Sequence, residues 1–139
     1  MARIVRRLVA GVGTACLISL ASAAAQAPNS HLGTWRVNVA KSKYDPGPAP
    51  QSQTVKYEAS VGGLKLTSDG VDGKGAKTHA EYTAKFDGKP SAFSGNPNAD
   101  MITLKQVDAR TLETSWTLRG KPTITSRSTI AADGKSRSV

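Results

Sequence analysis

Polar and apolar residues alternate with a period of two along most of the chain beyond residue 50. In residues 79–87 the apolar positions are Ala80, Tyr82, Ala84 and Phe86. Residues 54–59 and 111–119 alternate in the same way. Because successive side chains of a β-strand point to opposite faces, this pattern predicts strands with one buried face and one solvated face.

Turn-forming residues separate these segments at intervals of about ten to twelve residues, a spacing typical of all-β sandwiches and barrels. Pairs such as Asp87-Gly88 and Asp133-Gly134 favour tight hairpins, because glycine and short acidic residues tolerate positive φ. Consecutive hairpins make an antiparallel up-and-down meander. We predict an all-β fold of about seven or eight strands, forming a barrel or a strongly curled open sheet.

The first 25 residues have the organisation of a secretory signal peptide. Arginines at positions 3, 6 and 7 precede an apolar stretch over residues 8–20. The small residues Ala23 and Ala25 then fit a cleavage site after Ala25. The apolar stretch is shorter than the roughly 20 residues that a membrane span needs. We therefore predict a periplasmic or extracellular protein with no transmembrane segment after cleavage.

Residues 26–139 are predicted to form a single β domain. Residues 33–50 hold a first strand, expected over Gly33 to Val39, and a proline-rich strap. The best helical candidate is a short turn over residues 39–44, and residues 51–139 form the meander. Only four residues follow the turn at Asp133-Gly134-Lys135. We expect a C-terminus truncated within a closing hairpin, which leaves open whether the barrel closes.

The segment 33–50 carries the most specific motif of the chain, Gly-Thr-Trp-Arg-Val-Asn-Val-Ala-Lys-Ser-Lys-Tyr followed by Pro46-Gly47-Pro48. This motif, with later pieces such as Phe86-Asp87-Gly88-Lys89, resembles a family of small exported bacterial proteins of uncharacterised function. The resemblance extends over nearly the whole of residues 26–139. It implies a lipocalin-like fold and transfers no catalytic residue.

Composition narrows the classes of function. The single cysteine, Cys16, excludes an intramolecular disulfide framework and a cysteine-based zinc site. Two histidines, His31 and His79, leave little room for a histidine-rich metal centre. Loss of residues 1–25 would leave 114 residues without cysteine and lower the net charge from +9 to +6. The remaining lysines are dispersed through predicted strands and turns rather than clustered, so no nucleic-acid partner is expected.

Candidate chemistry is sparse. His79 and Glu81 lie two residues apart and share a strand face, which with a third ligand would suit zinc or copper. A solvated polar strand face is the favoured interpretation of this pair. Glu58, Glu81 and Glu113 alternate with cations or hydroxyls, as cross-strand surface pairs do. We predict no catalytic residue, no metal site and no cofactor, and hence no enzyme.

Four aromatic residues are the candidate site: Tyr57, Tyr82, Phe86 and Trp116. They are expected to face inward, either as core or as the lining of a pocket for an apolar ligand. The leading hypothesis is an exported monomer that binds a small apolar or amphipathic ligand in a barrel pocket. The alternative is a non-catalytic structural or interaction module of the cell envelope with a filled core.

Overall fold

The computed structural model describes residues 29–45 and 47–139; the predicted signal peptide lies outside these residues. The described chain contains nine strands and one short 3-10 helix, Val39–Lys41. The strands are β1 (Gly33–Arg36), β2 (Ser52–Ser60), β3 (Gly63–Val71), β4 (Lys77–Lys85), β5 (Ser91–Ser94), β6 (Met101–Asp108), β7 (Thr111–Leu118), β8 (Lys121–Ile130) and β9 (Arg137–Ser138).

Every strand pairs antiparallel with its neighbours in the sequence, in the order β1 to β9. The sheet curls into a nearly closed barrel with almost no helix. The predicted all-β meander is therefore confirmed, and its form fits a lipocalin-like barrel. The described residues form nine strands rather than the seven or eight predicted. The nine include the short strands β5 and β9, which pair with each neighbouring strand over only two residues.

Two predicted strand boundaries were wrong. The first strand ends at Arg36 rather than Val39. Asn38 caps the 3-10 helix, because its side-chain oxygen accepts a hydrogen bond from the backbone N–H of Lys41 at 3.2 Å. The strand predicted over residues 79–87 lies at 77–85, which places Phe86 in the following turn.

The core fills the inner face of the curled sheet. Its most buried large side chains are Leu64, Ile102, Leu104 and Leu112, each at most 1% exposed. The last three come from the neighbouring strands β6 and β7. The inward faces of β2, β3 and β4 contribute Val55, Leu66 and Ala84. The alternation in the sequence thus becomes a single apolar interior.

One end of the barrel is covered by the segment that precedes β1. The backbone N–H of Ser30 donates to the carbonyl of Ala109, in the β6–β7 turn, at 2.8 Å. The indole N–H of Trp35 donates to the carbonyl of His31 at 2.7 Å. These bonds hold His31, which is completely buried, over the end where β6 and β7 meet.

The barrel has a seam, which we define as the gap between β1 on one side and β8 with β9 on the other. No strand pairing within the described residues crosses it. Of the ten residues of β8, only Thr129 and Ile130 pair with β9. The edge of β8 over residues 121–128 has no strand beside it in the described part of the chain. A side-chain contact does cross the seam, since Arg137 of β9 donates from Nη2 to the Tyr57 hydroxyl at 2.8 Å.

Candidate ligand-binding site

A row of aromatic rings lines part of the barrel interior. Tyr82 contacts Phe93 edge to face, with 5.2 Å between the ring centroids. Phe93 contacts Trp116 in the same way at 5.4 Å. The rings come from β4, β5 and β7, and the register places Phe93 opposite Tyr82. This row forms an apolar wall with the geometry that aromatic quadrupoles favour.

Tyr57 lies beside this wall and adds a polar group to it. Burial raises the pKa of both phenols, Tyr57 and Tyr82, and that of Tyr82 most strongly. Both phenols therefore stay protonated at neutral pH. They act as hydrogen-bonding groups and not as bases.

Arg137 brings a positive charge to the interior. Its guanidinium lies over the Tyr57 ring, 4.9 Å from the centroid, and Nη2 also donates to the hydroxyl of that residue. The three ion pairs found among the described residues all join exposed side chains, and none involves Arg137. A half-buried guanidinium whose charge has no carboxylate beside it is costly to desolvate.

His31 completes this polar group. Its ring lies edge to face with Tyr57, with 6.2 Å between the centroids. Burial and then the charge of Arg137 lower the pKa of His31 from 6.5 to about 4, while the Arg110 backbone and the carboxylate of Asp108 partly oppose this. His31 is therefore neutral at pH 7, with one ring nitrogen as a donor and the other as an acceptor.

Several buried nitrogens have no hydrogen-bond partner of ordinary geometry within residues 29–45 and 47–139. They are Asn29 Nδ2, Gln106 Nε2, Arg137 Nε and both ring nitrogens of His31. The Asn29 amide is oriented by its oxygen, which accepts from the backbone N–H of His31 at 2.9 Å, so its free nitrogen is a donor. Buried polar groups are almost always paired. The interior thus holds unsatisfied donors.

Three inward apolar side chains, on β1, β7 and β8, are only partly covered. Trp35 on β1 and Trp116 on β7 are half-buried and pack against the core. Ile124 on β8 pairs with Trp116 and is 37% exposed. Trp35 and Ile124 belong to the two strands that flank the seam, so these two strands leave part of their apolar surface accessible.

The outer face carries an open groove of about 470 Å³. It lies over one end of β2, β3 and β4, and its lining includes Thr54, Asp69 and His79. His79 Nδ1 is 2.6 Å from Asp69 Oδ1, and this hydrogen bond raises the pKa of His79. The near partner of His79 is thus Asp69 across the strands. No group of three or more metal-ligating residues was found among the described residues.

Three of the four aromatic residues selected from the sequence meet in the interior. Tyr57 and Tyr82 are 4% exposed, and Trp116 joins them through Phe93. Phe86 packs against the core from the β4–β5 turn, and no ring contact to the other three was found among the described residues.

Sequence reasoning missed Phe93, His31 and Arg137. Phe93 alternates with polar neighbours in Ser91-Ala92-Phe93-Ser94, which is a usable strand signal. His31 precedes Trp35 by four residues, but its burial depends on the contact with the β6–β7 turn. Arg137 follows the last turn, and nothing local distinguishes it from an exposed arginine.

Comparisons with known proteins add no assignment. In residues 29–45 and 47–139, no helix has both the length and the apolar character required to cross a membrane. No protein-family model, curated protein or solved structure matches the chain.

Proposed function

We propose that the chain is an exported, non-catalytic protein that binds a small amphipathic molecule in its barrel interior. The observation that carries this proposal is the accessible apolar surface at the seam. Trp35 and Trp116 are half-buried, and Ile124 is partly exposed. Small-molecule sites are concave, mostly apolar and provided with a few polar groups. The aromatic wall and the polar group around Tyr57 supply both kinds of contact.

The absence of a plausible catalytic arrangement among the described residues supports binding over catalysis. The His79–Asp69 pair is exposed on both sides, and no hydroxyl or thiol nucleophile hydrogen-bonds to His79 in the contacts of the described chain. His31 is buried and neutral at pH 7. A nucleophile and its base normally lie within hydrogen-bond reach of each other.

Saturable binding of a neutral fluorescent probe, N-phenyl-1-naphthylamine, tests the proposal. We expect the probe to bind with one site per chain and to change the emission of the tryptophans. Native mass spectrometry of the protein purified from its own host should also show a bound small molecule. A protein that binds no apolar probe and carries no molecule from its host would refute this function.

An Ile124→Glu variant locates the site. A carboxylate at the seam should weaken probe binding about tenfold, which corresponds to about 1.4 kcal/mol. Val61→Glu is the matched control, because Val61 is 88% exposed in the β2–β3 turn. Equal binding by both variants would place the probe elsewhere.

A second function is favoured by the free edge of β8. An unpaired strand edge is a template for a strand from another chain, and a filled core would suit an interaction module of the cell envelope. On this alternative, the protein binds no apolar probe. Adding a cell-envelope fraction should then slow amide hydrogen exchange over residues 121–128. Unchanged exchange there would exclude it.

A further inference from the structure

We infer that the seam binds a carboxylate group at the end of the barrel covered by the segment before β1. Arg137, Tyr57 and His31 hold this group. This inference rests on the proposed function and adds to it the chemical class of the ligand, an amphipathic acid. The polar end of the ligand is placed at Arg137, and its apolar part lies along the seam towards Trp35 and Ile124.

The first argument is an unsatisfied donor. Arg137 Nε is a buried donor without an acceptor in the described chain. It carries hydrogen under all ordinary conditions, and the guanidinium carries a permanent charge. A group that satisfies it must supply an acceptor. A carboxylate has two oxygens, each able to accept more than one hydrogen bond.

The second argument is the position of the guanidinium. Tyr57 fixes Arg137 from two directions, through its ring at 4.9 Å and its hydroxyl at 2.8 Å from Nη2. Nε therefore remains as a fixed donor on the edge of the guanidinium next to Nη2. Two adjacent N–H groups of a guanidinium match the two oxygens of a carboxylate, which makes this pairing strong and directional.

The third argument is electrostatic. The charge of Arg137 acts on His31, Tyr57 and Tyr82 alike, so these side chains share one local field. The nearby acid Asp108 is exposed and hydrogen-bonds to the backbone N–H of Arg110 at 2.8 Å, so it is not paired with Arg137. A bound anion would offset the cost of the unpaired interior charge.

The seam gives such a ligand a route in. Arg137 is half-buried and belongs to β9, the strand at the edge of the sheet. An acid entering between β1 and β8 would meet Arg137 without crossing the packed core around Leu104. Trp35, whose indole is bonded to the His31 carbonyl, lies on the opposite side of the same opening.

Matched ligands test the carboxylate site. Decanoate and decanol, which share one alkyl chain, would each displace N-phenyl-1-naphthylamine from the wild-type protein at pH 8. We expect decanoate to bind at least about tenfold more tightly than decanol, since one charge-assisted pair contributes about 1.5–3 kcal/mol. Decyl phosphate should bind less tightly than decanoate if the site is shaped for a planar anion. Acetate alone should not displace the probe if the alkyl chain is required.

Variants assign the preference to Arg137. Arg137→Gln should remove the advantage of decanoate over decanol, so that the two ligands bind this variant within about twofold of each other. Arg127→Gln is the control, because Arg127 is an exposed residue of β8 that pairs with Glu113 on the outer face. That variant should keep the full preference for the acid.

A measurement on the wild-type protein alone covers the case in which Arg137→Gln does not fold. The carboxyl of ¹³C-labelled decanoic acid should titrate at lower pH when bound than when free, because Arg137 stabilises its anion. Equal binding of acid and alcohol, or a bound carboxyl that titrates at or above the free value, would overturn the carboxylate site and leave the proposed function standing. Failure of both ligands and of the probe to bind would overturn both.

Discussion

At Tyr57, one side chain serves the core and the candidate site together. Its side chain is 4% exposed, and its hydroxyl accepts a hydrogen bond from Arg137 on β9. The period-two pattern predicted that Tyr57 and Tyr82 face inward, because each of them occupies an apolar position of an alternating strand. The partners of the hydroxyl depend on the curvature of the sheet, which the local pattern does not encode.

Because His31 has a lowered pKa in the folded protein, we expect the protein to lose stability in acid. Burial and the charge of Arg137 lower its pKa from 6.5 to about 4 in the folded protein. Between these values the unfolded chain binds a proton that the folded chain does not. The free energy of unfolding should therefore fall as the pH drops from 6.5 towards 4, by on the order of 3 kcal/mol from this residue. In His31→Gln this part of the loss should disappear, as measured by urea unfolding across that range.

His79→Gln is the control for this experiment. Asp69 raises the pKa of His79, so its stabilising contribution is present at low pH and is lost as the pH rises through the raised pKa. Removing this exposed histidine should not flatten the acid loss. If His31→Gln and the wild type lose stability in parallel between pH 6.5 and 4, His31 is not held neutral in the folded protein.

At the scale of elements, β5 shows that a short strand forms with very little polar–apolar alternation in its sequence. It has four residues and lies between two turn signals at residues 87–90 and 95–98. The turn at Asp87-Gly88 was predicted, but four residues provide too few alternations to define a strand. What fixes β5 is the approach of its following glycine to β4. Gly95 has φ +78°, and a Cβ there would lie 2.0 Å from the His79 carbonyl oxygen.

Gly95→Ala should therefore destabilise the protein more than an ordinary substitution of a turn glycine. The reference is Gly88→Ala, since Gly88 has φ +71° and open space around its Cβ position. The control substitution should lower the free energy of unfolding by about 1–2 kcal/mol, because a residue with a Cβ is strained in the left-handed conformation. The Gly95 variant adds a clash with backbone, so its urea midpoint should fall further. Faster hydrogen exchange should appear in β5. Equal midpoints for the two variants would contradict this close approach.

At the scale of the whole molecule, the contact between Arg137 and Tyr57 joins two ends of the sheet that no strand pairing joins within the described residues. The two residues are 80 positions apart in the sequence. The covering segment before β1 adds the bond from Ser30 to Ala109. Within the described residues, the barrel is therefore held together by the contact between Arg137 and Tyr57 and by the segment before β1. A continuous ladder of strand pairs does not close it.

A double-mutant cycle measures this closure. Tyr57→Phe and Arg137→Gln should each destabilise the protein, and their coupling energy should be about 1–2 kcal/mol, the size of a hydrogen bond to a charged group. A cycle of Tyr57→Phe with Arg127→Gln should show coupling near zero, because Arg127 lies on the outer face. Coupling near zero in both cycles would mean that the seam contact contributes nothing to stability.

The sequence by itself determined the class of the fold and the order of the strands. Alternation selects strands, glycine and aspartate select hairpins, and consecutive hairpins permit little besides a meander. These are local effects, set by residues close together in the chain. The inward placement of Tyr57, Tyr82 and Trp116 follows from the same alternation.

Only the tertiary structure decided which side chains share the candidate site. Arg137 meets Tyr57 because the sheet curls until its last strand approaches its second. His31 is buried because the segment before β1 docks on the β6–β7 turn. Phe86 leaves the predicted site because β4 ends one residue before it. Curvature, docking and strand ends depend on the sum of many distant contacts, so a local pattern fixes the elements and the folded chain fixes the site.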